Sequence, residues 1–225
     1  MSVDRWIRRV AKPIVFAAAL LPLSLLMWSA VHGELGADPL AKITHATGDW
    51  TLRFIVITLA ITPVRRLTGW NWLISFRRML GLYAFFYGSL HFLIYVIADR
   101  FAGLDFQNGI WVWSTARALA ASIWEDIYKR PYITVGFIGL TAMAPLALTS
   151  TAGWIRRLGG RNWNRLHRLI YVTAVAGVIH YWWLVKADIL HPAIYASLVA
   201  ILLGFRLFAA IKRSRSHRQP VHARA

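Results

Sequence analysis

The sequence predicts an all-α integral membrane protein, a bundle of six transmembrane helices with both termini cytoplasmic. Three observations lead there. Hydrophobic residues make up 58% of the 225 residues and mean hydropathy is +0.49, too apolar for an ordinary soluble domain. The apolar residues gather in long runs. The basic residues fall unevenly on alternate connecting segments.

The spans are expected at Pro13–Val31, Trp50–Pro63, Leu80–Ala98, Tyr132–Thr149, Leu166–Val185 and Pro192–Ala210. Most approach the roughly 20 residues that cross a bilayer. Trp50–Pro63 is the shortest, and either begins earlier or lies partly at the interface. The first span follows Arg5, Arg8, Arg9 and Lys12 as a signal peptide would, but it is long and no small-residue cleavage pattern follows it. Retention is therefore expected. Residues 1–12 read as a basic cytoplasmic N-terminus, 13–211 as the membrane domain, and 212–225 as a basic tail without a fold.

Charge sets the orientation. With the N-terminus inside, nineteen of the 26 basic residues fall on inner segments, among them Arg65, Arg66, Arg77, Arg78, Arg156, Arg157, Arg161, Arg165 and Arg168. Eight of the nine acids fall outside, leaving Asp4. This is the positive-inside pattern. A net charge of +17 on a soluble chain would suggest nucleic acid, but here membrane lipid is the expected environment and nucleic acid is not expected as a partner. The outer stretch Val112–Tyr128 has loosely helical apolar spacing and reads as a surface-lying helix. Trp70, Trp72 and Phe76 mark an inner interfacial segment.

Cysteine is absent, which excludes disulfides, iron–sulfur clusters and thiolate metal sites. Histidines inside an apolar span need a reason. His91 and His180 lie about 17 and 21 Å from the inner ends of the third and fifth spans, at 1.5 Å per residue. These spans run in the same direction, so the two rings share a depth. An imidazole on each face of a porphyrin gives six-coordinate iron suited to electron transfer.

His167 lies 13 residues before His180, about 20 Å along a helix but turned about 220° away. It is either an interfacial histidine or a ligand near the inner leaflet. Arg77 and Arg78 stand where its partner would be. They set topology or contact a heme propionate or a flavin phosphate, since arginine stays protonated and is a poor iron ligand. His45, in the first outer loop, is a capping residue or a further ligand near the outer face. His32 and His191 read as interfacial, and His217 and His222 as tail residues.

Several ordered fragments carry a resemblance: Gly36-Ala37-Asp38-Pro39, Thr44-His45-Ala46-Thr47-Gly48, Ile61-Thr62-Pro63-Val64-Arg65, Arg77-Arg78-Met79-Leu80-Gly81-Leu82, Leu90-His91, Arg130-Pro131-Tyr132, Leu148-Thr149-Ser150-Thr151, Leu166-His167-Arg168-Leu169-Ile170-Tyr171 and Ile179-His180-Tyr181. They span nearly the whole chain. Each is weak alone, but their order and spacing are specific. The sequence resembles the MsrQ/YedZ family, heme-binding membrane subunits of the bacterial protein-methionine-sulfoxide reductase system, within the ferric-reductase-like transmembrane group.

The resemblance implies a bacterial inner-membrane b-type cytochrome. It implies electrons taken from quinol or a cytoplasmic flavin reductase and passed to a periplasmic molybdopterin-containing subunit that reduces methionine sulfoxide in oxidised proteins. It implies heme b, FMN, and His91, His167 and His180 as heme ligands. One heme b is expected. A second is left open, because the wider group places two histidines on each of two helices and this chain has arginine at one of those places. The rival readings are a quinone-linked cytochrome with another partner, a non-redox heme or cation transporter, and an assembly factor. The catalytic subunit is expected to be a separate chain.

Overall fold

A computed structural model describes residues 3–97, 113–185 and 188–216, and they are helical with short connections. We number the main helices α1 (Lys12–Val31), α2 (Pro39–Thr68), α3 (Arg77–Ile94), α4 (Trp113–Lys129), α5 (Pro131–Leu148), α6 (Ala152–Leu166), α7 (Leu169–Leu184) and α8 (Leu190–Ser216). Among the described residues, four segments are long and apolar enough to cross a membrane: Ile7–Val31, Asn71–Ile97, Pro131–Leu148 and Leu190–Ser214. Two further helices fall outside that group for different reasons. α2 has ample length but carries Lys42, Asp49, Arg53, Arg65 and Arg66. α7 is strongly apolar but only 16 residues long, about 24 Å.

α2 corrects the shortest expected span. It begins at Pro39 rather than near Trp50 and runs for 30 residues. Asp38 caps it by accepting the Ala41 amide at 2.9 Å, and Pro39 occupies the first turn, where its missing N–H costs nothing. Gly69 ends it in the left-handed region at φ 75°. His45 therefore sits inside a helix, not in the outer loop expected for it.

Where the sequence suggests only a basic inner loop, the structure has a helix, α6. Thr151 caps it through the Trp154 amide, and Gly159 kinks it at φ 71°. The fifth span starts later than expected, at Leu169. His167 lies at the turn between α6 and α7, so the 220° offset of a straight helix does not apply. A helix over the expected outer stretch is present as α4, and Asn71–Phe76 forms a short 3-10 helix at the aromatic segment. α8 continues to Ser216. The expectations for 98–112, His217, His222 and the end of the tail lie outside the described residues.

The core forms where α2 packs along α3 and α5 along α7, with α1 and α8 against the α2 side. Ala84 and Ala174 are fully buried, and Phe54 stacks on Tyr83 and Tyr87 at 5.5 and 5.3 Å between centroids. Gly139 lets α5 approach Ala176 of α7, and the Thr173 hydroxyl donates to the Gly139 carbonyl at 3.3 Å. The outside is apolar in the manner of a lipid-facing surface, with Met27, Ile201 and Phe208 exposed. Tyr83 and Tyr87 tie α3 to α1 by donating to the Phe16 and Ala19 carbonyls, each at 2.9 Å. Tyr87→Phe keeps the ring stacking and loses that bond. A cost of about 0.5–1.5 kcal/mol is expected in detergent thermal unfolding, against about 3–5 kcal/mol for Tyr87→Ala.

Candidate functional site

The two membrane histidines meet. His91 on α3 and His180 on α7 have ring centroids 6.1 Å apart, with planes at 85°. Each ring is held by a helix other than its own. His91 Nδ1 lies 2.9 Å from the Thr44 carbonyl of α2, and His180 Nδ1 lies 2.6 Å from the Tyr132 carbonyl of α5. A carbonyl only accepts, so Nδ1 carries the proton on both rings. In a neutral imidazole the lone pair then sits on Nε2. Metal-binding histidines usually donate their other ring N–H in this way, which fixes the tautomer and the ring's orientation.

Glycine makes the approach possible. A Cβ on Gly48 would lie 3.2 Å from the His91 ring, and one on Gly136 would lie 2.6 Å from His180 Nδ1. A centroid separation of 6.1 Å leaves room for one metal ion held by both imidazoles at about 2.0–2.1 Å. The rings border a cavity of about 440 Å³, within the range of small-molecule and cofactor sites. Leu52, Ile55 and Met143 are among its apolar walls, and His45 lines it too. The donor set and the space suit an axially ligated macrocycle.

His167 stands apart from that pair. It borders a second, smaller cavity of about 60 Å³ with Arg77 and Arg78. The Thr149 hydroxyl donates to the Pro145 carbonyl at 2.6 Å and so accepts from His167 Nε2 at 3.2 Å. Trp163 stacks on the ring at 3.8 Å. Its Nε2 is therefore engaged, in contrast to the other two. Arg78 reaches the Ser150 carbonyl at 3.4 Å. Among the described residues no group of three or more His, Cys, Asp or Glu gathers to hold a bare metal ion.

Residues 15–178 match the family model described as ferric reductase like transmembrane component. A heme-binding subunit of protein-methionine-sulfoxide reductase, MsrQ, from Xanthomonas oryzae pv. oryzae is 50% identical over 213 residues, covering 92% of this chain and 90% of the relative. The protein of the same description from Ralstonia nicotianae is 50% identical over 202 residues, covering 89% and 86%. The chain belongs to the MsrQ family. With its apolar helices, this MsrQ member is a multi-pass membrane protein.

Sequence reasoning paired His91 with His180 but missed what holds them. The Thr44 and Tyr132 carbonyls are backbone atoms with no mark in the sequence. Gly48 and Gly136 were visible only as glycines one helical turn beyond Thr44 and Tyr132. It also missed a polar group at the start of α5. Asp126 is buried; Tyr95 donates to its Oδ2 at 2.5 Å, and Arg130 Nε lies 3.3 Å from its Oδ1. A hydrogen bond to Tyr132, together with the Asp126 carboxylate, pushes the Arg130 pKa up.

Histidine-selective ¹⁵N NMR of cofactor-free protein in detergent should show the Nδ1-protonated tautomer for both His91 and His180. Gly136→Ala should shift the His180 ring alone. Gly204→Ala, where an added Cβ meets nothing within 4 Å, should shift neither.

Proposed function

We propose that this protein is the membrane b-type cytochrome subunit of a methionine-sulfoxide reductase system. It would take electrons from quinol or a cytoplasmic flavin reductase and pass them to a periplasmic molybdopterin-containing subunit that repairs oxidised proteins. The observation that carries this reading is the His91–His180 pair, with both Nδ1 atoms donating to carbonyls and the lone pair on both Nε2 atoms. The heme-binding descriptions of the MsrQ relatives support it.

In this reading His91 and His180 would hold the heme iron. Thr44 and Tyr132 orient them, and Gly48 and Gly136 leave room for the rings. Leu52, Ile55 and Met143 exclude water. Bound there, heme b supplies a reversible one-electron carrier and leaves no open coordination position for other chemistry. The role of His45 is to line the cavity. Around the smaller cavity, His167, Arg77 and Arg78 form a basic inner cluster suited to a propionate or to the phosphate of FMN. The chain lies in the bacterial inner membrane with α1, α2, α3, α5, α7 and α8 as its six spans and both termini inside. A transporter is less well supported: the two acids on the described part of the His91–His180 cavity wall are engaged with their own helix, Asp38 as the α2 cap and Asp49 at 4.0 Å from Arg53.

The reduced-minus-oxidised spectrum of purified protein tests the proposal. A six-coordinate low-spin b-type signal is expected. His91→Ala and His180→Ala should each abolish it and cut electron delivery to the reductase by more than about 100-fold. His45→Ala should leave it in place. Retention of the signal in both ligand variants refutes the assignment.

The absence of cysteine makes orientation directly measurable. In intact spheroplasts Glu34→Cys should react with a membrane-impermeant maleimide, and Arg161→Cys should react only after lysis. The reverse pattern overturns the topology.

A further inference from the structure

The cavity beside His91 and His180 has an uneven charge balance. Among the described residues that line it, Arg130 is the only lysine or arginine, while Asp38 and Asp49 supply acid. Both acids are engaged within their own helix, Asp38 as the α2 cap and Asp49 at 4.0 Å from Arg53. Arg130 stands at the N-terminal end of α5, two residues before the Tyr132 carbonyl that holds His180.

Its guanidinium is held by two neighbours, Asp126 and the Tyr132 side chain. Asp126, only 6% exposed, meets Nε at 3.3 Å, and its main-chain carbonyl accepts the Arg130 amide at 2.9 Å. The second carboxylate oxygen of Asp126 accepts from the Tyr95 hydroxyl at 2.5 Å. The Asp126 contact uses the Nε side of the fork. A guanidinium has five N–H donors in a fixed plane, more than Asp126 and Tyr132 take up, and those that remain suit a second carboxylate. A porphyrin ligated by the two histidines brings such groups at its periphery.

We propose that Arg130 binds a carboxylate of the porphyrin at the edge of this cavity, with Asp126 and Tyr95 as the residues that position it. The proposal rests on the reading that His91 and His180 hold heme. It adds the residue that would read the cofactor's side chains rather than its iron. It also gives the surface helix α4 a part in the site, since Asp126 belongs to α4, Tyr95 follows α3, and Arg130 begins α5.

The test compares heme b with its dimethyl ester, in which both carboxylates are methylated and uncharged. Full-length protein produced under heme limitation is titrated with each and followed by the Soret band. Wild type should bind the free acid about tenfold more tightly than the ester, as expected of one charge-assisted contact. Arg130→Gln should erase that preference and lower the midpoint potential, because a cation near the iron has been lost. Arg130→Lys should recover part of both, and Tyr95→Phe should weaken the preference without abolishing it.

Equal binding of acid and ester by wild type overturns the proposal, whatever the variants do. So does an Arg130→Gln protein that keeps the full preference. His91→Ala separates the two levels of the reading. If it loses the six-coordinate spectrum while Arg130→Gln binds as wild type does, only the Arg130 assignment fails. If the spectrum survives in both His91→Ala and His180→Ala, the histidine reading fails, and the Arg130 proposal with it.

Discussion

Two hydrogen bonds from imidazole to main-chain carbonyl organise the centre of this protein. An imidazole in an apolar bundle is free to rotate and to choose its tautomer unless one nitrogen is committed. Here the commitment comes from the Thr44 and Tyr132 carbonyls, on helices neighbouring those that carry the rings. Four helices thus converge on one pair of side chains. The close packing of α2 on α3 and of α5 on α7 is what brings carbonyl and ring within reach. Gly48 and Gly136 permit that packing because anything larger would strike the rings.

The sequence showed the parts of this arrangement that depend on composition. The helices α1, α3, α5 and α8 were legible as apolar runs, and the shared depth of His91 and His180 followed from counting residues along two parallel spans. α2 was half legible. Its C-terminal half reads as a span, but Lys42, Asp49 and Arg53 break the apolar signal in its N-terminal half, so the sequence alone puts His45 in a loop. α6 was illegible as a helix because Arg156, Arg157, Arg161 and Arg165 resemble a topology-setting loop. Only the Thr151 cap betrays it.

What stayed hidden depends on backbone and on close approach. Nothing in the letters Thr44 or Tyr132 announces a carbonyl that faces a histidine. Gly136 looks like any glycine of a membrane helix until a Cβ is placed on it. His167 shows the same limit from the other direction. Its spacing from His180 leaves open an interfacial histidine or an inner-leaflet ligand on one continuous helix. The helix breaks between α6 and α7, and His167 lies against Trp163 and Thr149, beside Arg77 and Arg78.

The mutual perpendicularity of the two rings, at 85°, has a mechanical consequence. Each plane is set by a different carbonyl on a different helix, so neither ring can swing without breaking its own anchor, and the two anchors resist along separate directions. Under the proposed cytochrome reading, a change of charge between them would take place inside a frame with little freedom to relax. Such stiffness would suit rapid, repeated exchange of single electrons better than chemistry that needs a ligand to leave.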